Sequence, residues 1–189
     1  MALDSESRWR LVRRAKSKPA ETAGEVEVRP AVVTDLGEVL EIYNFYVKNS
    51  AVTFDVEPMT LTDWREKFEW LSSLNMPFLV AVTASGSVIG FAYVAPWRQK
   101  AAYRRTVEDS IYLRPAAIGK RVGTKLMTEL LSAAKAAGVR EVVAVISDRG
   151  ADASIQLHKS FGFKNQGHLA KVGFKFERWL GTILLQKSL

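Results

Sequence analysis

The stretch EDSIYLRPAAIGKRVGTKLM, Glu108–Met127, decides the fold. Ser110–Leu113 carry β-formers, and Pro115 breaks the run. Gly119 and Gly123 follow, and from Val122 the apolar residues recur at helical spacing. A strand that runs through a glycine-bearing loop into a helix places backbone amides at a helix N-terminus, where they suit an anion. Glycine lets the chain approach closely. Arg114, Lys120, Arg121 and Lys125 add positive charge nearby. Many such turns hold glycine for packing alone, so the turn by itself leaves both readings open. It is not a P-loop, because G-x-x-x-x-G-K-[ST] is missing, and G-x-G-x-x-G is missing too.

Upstream of this stretch, Glu25–Ala31 alternates as a half-buried strand, with Val26, Val28 and Pro30 on one side. Thr34 or Asp35 can cap a helix whose apolar face is Leu36, Val39, Leu40, Tyr43, Tyr46 and Val47. Thr62 or Asp63 opens a second helix with Trp64, Phe68 and Leu71 as its stripe. Phe78–Val82 and Val88–Ala95 flank a turn at Gly86 and read as a hairpin. Downstream, the helix from Val122 runs to about Ala137, with Gly138 closing it. Val142–Ile146 suits a strand buried on both faces, and Ala153–Phe161 a short helix ended by Gly162. Phe163–Leu169 and Phe176–Gln186 complete the chain as strands. The order β-α-α-β-β-β-α-β-α-β-β predicts an α/β (α+β) fold with a mixed sheet.

The 189 residues suit one domain, with 48% hydrophobic and 25% charged residues. Residues 1–24 read as a basic, flexible extension carrying Arg8, Arg10, Arg13, Arg14, Lys16 and Lys18, and 25–189 as the domain. No cysteine is present, which removes disulfides, thiolate metal sites and a covalent Cys intermediate. With only His158 and His168, a histidine-rich metal site is not expected. No apolar run approaches the roughly 20 residues that span a bilayer, and the first residues lack a signal-peptide core. The expected setting is cytoplasmic. The formal charge of +7 suits an anionic partner, whether nucleic acid, membrane or phosphate-bearing ligand, without choosing among them.

Three sets of residues could carry chemistry. Glu108, at the head of the strand, can act as a general base, or it can form a structural salt bridge with Arg104 or Arg105. His158, within SIQLHKSFGF, is a catalytic candidate or a packed helix residue. Phe54, Trp97 and Tyr103 could wall a pocket, and Arg98 and Arg104 could clamp an anionic group, or all could be ordinary surface and core-edge residues.

Together, TVEDSIYL, the G-K-R-V-G turn, SIQLHKSFGF and VGFKFERWL resemble the GNAT superfamily of N-acetyltransferases. More narrowly, the chain resembles the phosphinothricin and methionine sulfoximine acetyltransferase branch, from about Val26 to Leu189. The likeness includes Ile42–Asn44, the loop from Thr53 to Pro58, and the run from Trp97 to Glu108. It implies a fold in which two central strands splay apart and acetyl-CoA slots between them. Backbone groups of Ile111, Tyr112 and Leu113 would pair with the pantetheine arm. Gly119, Lys120, Arg121, Val122, Gly123 and Thr124 would wrap the pyrophosphate, with Ser154 also on the cofactor. Glu108 would take the amine's proton, and His158 would protonate the leaving thiolate. Phe54, Trp97, Arg98, Tyr103 and Arg104 would meet the substrate, and Val172–Leu180 would lie near the active site and in dimer contacts. The chain departs from the branch at five positions. Ile118 and Arg121 replace an Arg/Gln and a glycine of the turn, Ala151 replaces an asparagine, and Glu177 and Gly181 replace a glycine and an aspartate.

The resemblance implies an N-acetyltransferase that moves acetyl from acetyl-CoA to the amine of a small amino acid or analogue by direct attack, with a backbone amide near Leu113 holding the oxyanion. It uses no metal and works as a homodimer. The alternatives are a degenerate acyl-CoA-binding protein of the same fold and an enzyme acting on a protein or peptide amine. A nucleic-acid-binding role finds no helix-turn-helix, RNP or zinc-finger pattern.

Overall fold

A computed structural model describes residues 26–189. The expected basic extension over 1–24 lies outside the described residues. The elements follow the expected order: β1 (Glu27–Pro30), α1 (Leu36–Asn49), α2 (Leu61–Ser73), β2 (Phe78–Val82), β3 (Val88–Pro96), β4 (Thr106–Leu113), α3 (Val122–Ala136), β5 (Glu141–Ser147), α4 (Asp152–Ser160), β6 (Lys164–Lys175) and β7 (Arg178–Ser188). One mixed sheet holds all seven strands in the order β1-β2-β3-β4-β5-β7-β6. Among the described residues no helix is long and apolar enough to cross a membrane.

The β4–β5 pair is the only parallel neighbour pair among the described strands, joined by the α3 crossover. Its register covers only Thr106–Glu108 against Glu141–Val143. Beyond Glu108 the two strands part, while β4 stays paired with β3 as far as Leu113. The Trp97 amide donates to Thr106 O and the Arg114 amide to Ile89 O. With the unbroken register between them, these bonds fix the alternation of the ladder. The peptide groups of Glu108, Ser110 and Tyr112 turn to β3, and those of Ile111 and Leu113 turn to the gap.

Side chains alternate in the same way. Ile111 and Leu113 pack into the core under α3, where Leu126, Met127 and Leu130 are fully buried. Tyr112 packs on the other face, under α1 and α2. That second core is aromatic. The Trp64 ring meets Tyr43 and Phe91 edge-on, and Tyr112 stacks on Phe91 and meets Tyr43 edge-on. Gly90 faces Leu113 across the β3–β4 ladder, where a Cβ would meet the Leu113 side chain and lie 3.1 Å from Tyr112 O.

Some local expectations are corrected. Thr60, not Thr62 or Asp63, caps α2, in a capping box whose third residue is Asp63. Asp35 precedes α1 without a side-chain cap bond, because its carboxylate is held by Arg29 at 2.7 and 2.8 Å and by the Val32 amide. β6 runs on past Leu169 to Lys175, and β7 starts at Arg178. Between them, Phe176 and Glu177 both take left-handed backbone at φ 52° and 57°, which makes a tight hairpin without glycine or asparagine.

Candidate active site

The gap between β4 and β5 is a cleft. Its wall on one side is Glu108–Leu113, and on the other Ala144–Ile146 and the start of α4, with Ile118 and Gly123 at the α3 end. The structure brings Glu108, Ile111, Tyr112, Leu113, Gly123, Ser154 and His158 together on this lining. Tyr46 from α1 closes the far side and donates its hydroxyl to Leu113 O at 2.6 Å. That bond occupies the Leu113 carbonyl and leaves its amide facing the gap.

Glu108 is half-buried, and burial raises its pKa, as does the neighbouring Asp109 charge; Lys67 and Arg98 pull it back down. It forms no ion pair with Arg104 or Arg105. Lys67 reaches over from α2, donates to Tyr93 OH at 2.8 Å, and sits over the Tyr93 and Trp64 rings. The carboxylate therefore lies in a partly desolvated site with cations near but not bonded to it, which suits a base.

His158 is 2% exposed, on the inner face of α4. Its Nδ1 lies 2.7 Å from Ser154 O and its Nε2 2.9 Å from Asp109 Oδ2. The Phe163 ring meets it edge-on. Burial opposes its charge, but the bonds to Asp109 and Ser154 outweigh that and raise its pKa. Asp109 is the residue that sequence reasoning missed. It is 49 positions from His158 in the chain, and only its place on β4, one step past Glu108, hinted at a role. Ser154 lies beside the same ring, its Oγ 3.4 Å from Nδ1.

The turn from β4 into α3 has one strained joint. α3 begins at Val122, so Val122, Gly123 and Thr124 offer first-turn amides without intrahelical acceptors. The Lys120 amide is spent on Ala117 O. Gly119 takes φ 80°, and Arg121 takes φ 62° where the resemblance expected a glycine. Left-handed backbone at a residue with a Cβ costs about 1–2 kcal/mol. Arg121, Thr124 and Lys125 instead line a second shallow depression with Val26 and Val28. Gly119, Lys120 and Val122 are not on the cleft lining. Cα–Cβ space at Gly123 is tight, with Leu157 at 3.3 Å, so a larger residue there would crowd the cleft floor.

The expected substrate residues stand apart from the lining. Trp97 is half-buried, with the Arg98 guanidinium 5.0 Å from its ring centre. Tyr103 and Arg104 are exposed in a turn, where Arg104 bonds Ala101 O. Phe54 lies under the β6–β7 hairpin, where a Cβ on Gly173 would be 2.5 Å from its ring. Lys175 locks the same contact by donating to Thr53 O at 2.9 Å. At Gly181, the space an aspartate would take is filled by Asp148, whose carboxylate accepts the Gly181 amide and lies 3.0 Å from His168 Nε2.

The Acetyltransferase (GNAT) family model matches residues 38–163. Phosphinothricin N-acetyltransferase of Alcaligenes faecalis is 37% identical over 155 residues, 82% of this chain and 78% of its own. The L-methionine sulfoximine/L-methionine sulfone acetyltransferase of Pseudomonas aeruginosa is 38% identical over 162 residues, 86% of this chain and 94% of its own. Among solved structures, a GNAT superfamily phosphinothricin acetyltransferase from Sinorhizobium meliloti in complex with AcCoA superposes with a TM-score of 0.83. It is 40% identical, and the match covers 87% of this chain and 88% of that one. The splayed β4–β5 pair, the helix N-terminus at its mouth and these relatives agree, and the chain belongs to the acetyltransferase (GNAT) family, whose enzymes use acetyl-CoA as co-substrate.

Proposed function

We propose that the protein transfers acetyl from acetyl-CoA to the primary amine of a small amino acid or analogue of the phosphinothricin or methionine sulfoximine type. The observation that carries this is a half-buried Glu108 on the same cleft wall as free-edge peptide groups, with His158 on the facing wall. The acceptor class rests on the relatives' names. The amides of Ile111 and Leu113, turned to the gap, suit the pantetheine arm and the developing oxyanion. The first-turn amides of α3, with Lys120, Arg121 and Lys125, suit the pyrophosphate. Glu108 takes the proton of the attacking amine. The amine enters from the α2 side, where the charges of Lys67 and Arg98 act on that carboxylate and favour an anionic group on the substrate.

The proposal includes a cytoplasmic homodimer. Leu169, Val172, Phe174 and Trp179 on the β6–β7 hairpin are each at least half exposed, and the Phe174 and Trp179 rings lie 5.5 Å apart as an exposed apolar pair. Exposed apolar surface of this kind suits burial against a second copy. Light scattering would return a monomer mass if that is wrong.

The test of function is release of CoA thiol from acetyl-CoA across a panel of L-phosphinothricin, L-methionine sulfoximine, L-methionine sulfone and common amino acids. Turnover with at least one is expected. The strained Arg121 and the alanine at 151 favour a second reading, an acyl-CoA-binding protein without turnover. Thermal stabilisation by acetyl-CoA with no thiol release on any amine would decide for it.

A further inference from the structure

His158 has an acceptor on each ring nitrogen. A carbonyl oxygen only accepts, so the 2.7 Å contact with Ser154 O places a hydrogen on Nδ1. The 2.9 Å contact between Nε2 and Asp109 Oδ2 then needs a second hydrogen between the two atoms, because two lone pairs cannot face each other at that distance, and an imidazolium, ordinarily a weaker acid than a carboxylic acid, keeps it on Nε2. Asp109 is buried, its side chain fully so, and its other oxygen Oδ1 has no hydrogen-bond partner among the described residues. Both residues line the cleft. The nearest titratable neighbour along the strand is Glu108, next to Asp109 on β4 with its side chain on the opposite face of the sheet, whose own carboxylate is disfavoured by the Asp109 charge. No lysine or arginine among the described residues pairs with Asp109. The imidazolium is its only counter-ion there.

We propose that Asp109 is a positioning residue that keeps His158 doubly protonated, so that the two form one buried proton-holding pair that supplies the departing thiolate. This rests on the acetyl-transfer reading above. In the step, the amine nitrogen bonds to the acetyl carbon and gives a proton to Glu108. The carbon–sulfur bond breaks with its electrons on sulfur. The Nε2 hydrogen leaves its bond to Asp109 Oδ2 and passes to sulfur, leaving neutral His158 beside Asp109 carboxylate. That arrangement is the repulsive one, so the pair regains a proton from water and Glu108 loses one to water, and the site resets. Asp109 thus both holds the ring and drives its reprotonation, and it touches the substrate only through His158.

The chain has two histidines, so the imidazole nitrogen NMR spectrum holds two ring systems, and the H168Q variant assigns them. In the wild-type enzyme at about pH 7, both His158 nitrogens should be protonated, although an unperturbed ring would be mostly neutral there. A neutral His158 would overturn the proposal without any variant at the pair. In D109N, Nε2 should lose its hydrogen at lower pH than in wild type, and the alkaline fall of kcat/KM should move to lower pH by the same amount. The D109N/H158Q double variant should be within about threefold of H158Q alone, because residues that act as a unit are not additive. A D109N enzyme whose His158 titrates unchanged, or a double variant that multiplies the two single losses, would refute it. If wild-type enzyme transfers no acetyl group, the functional reading fails while the charge state of the pair is still read by NMR.

Discussion

Replacing Glu108 with glutamine separates the base from the scaffold. The side chain keeps its size and half-buried place on β4, and only its capacity to take a proton goes. A positioned general base contributes about 10²–10⁴-fold, so kcat/KM at neutral pH should fall by that factor, about 2.7–5.5 kcal/mol in the barrier. The loss should shrink as pH rises, because the amine then arrives unprotonated. Wild type should also lose activity as pH falls through the Glu108 pKa, which burial and Asp109 have raised, and E108Q should lack that limb. Stability should move the other way. A carboxyl whose folded pKa exceeds its unfolded value binds its proton more tightly in the folded state. It therefore lowers stability as pH rises from the unfolded through the folded pKa, and costs nothing below both. E108Q should melt higher than wild type at pH above the Glu108 pKa, with the gap closing in acid. Thiol-release kinetics and calorimetry across pH read both effects. Activity within about threefold of wild type at every pH would remove Glu108 from the mechanism.

Gly90→Ala would drive a Cβ into the Leu113 side chain, with Leu126 Cδ1 only 3.2 Å away, and overpacking of this kind costs about 1–3 kcal/mol. Melting should drop by about 2–4 °C per kcal/mol and the acetyl-CoA dissociation constant should rise, since Leu113 forms the cleft wall; an unchanged dissociation constant would mean the co-substrate lies elsewhere. Arg121→Gly should raise the melting temperature by about 2 °C, the relief of left-handed strain exceeding glycine's extra flexibility, whereas R121A, which keeps a Cβ, should not. Equal melting of the two variants would show that the joint is not strained. Gly173→Ala must displace the Phe54 ring, so KM for the amine should change while acetyl-CoA affinity holds; an unmoved KM would take Phe54 out of the acceptor site.

The eleven elements and their order were readable from periodicity because every long helix shows its buried face plainly. Leu126, Met127, Leu130, Leu131 and Ala134 are all buried, as their spacing required. The hairpin at Phe176–Glu177 was not readable, because its turn uses left-handed backbone at residues that carry no such preference, and because β6 is almost entirely exposed and so lacks alternation. Helix starts failed where a nearer partner won. Asp35 looks like a cap, but Arg29 takes its carboxylate. Glu108 and His158 could be nominated from position, yet what their environment does to them depends on Lys67 of α2 and Arg98 of the loop after β3 acting on Glu108, and on Asp109 of β4 meeting His158 of α4. The direction of each peptide group along β4 also needed the ladder, since only the register shows that Ile111 and Leu113, and not Tyr112, face the gap.

The central claim is that the gap beside β4 holds acetyl-CoA and presents its thioester to an amine activated by Glu108. The most direct measurement is single-turnover thiol release from saturating acetyl-CoA with and without L-methionine sulfoximine or L-phosphinothricin, in wild type and in E108Q. The account predicts amine-dependent release by wild type, slowed about 10²–10⁴-fold in E108Q with acetyl-CoA binding retained. Tight acetyl-CoA binding with no amine-dependent release, or equal release by both proteins, would contradict it.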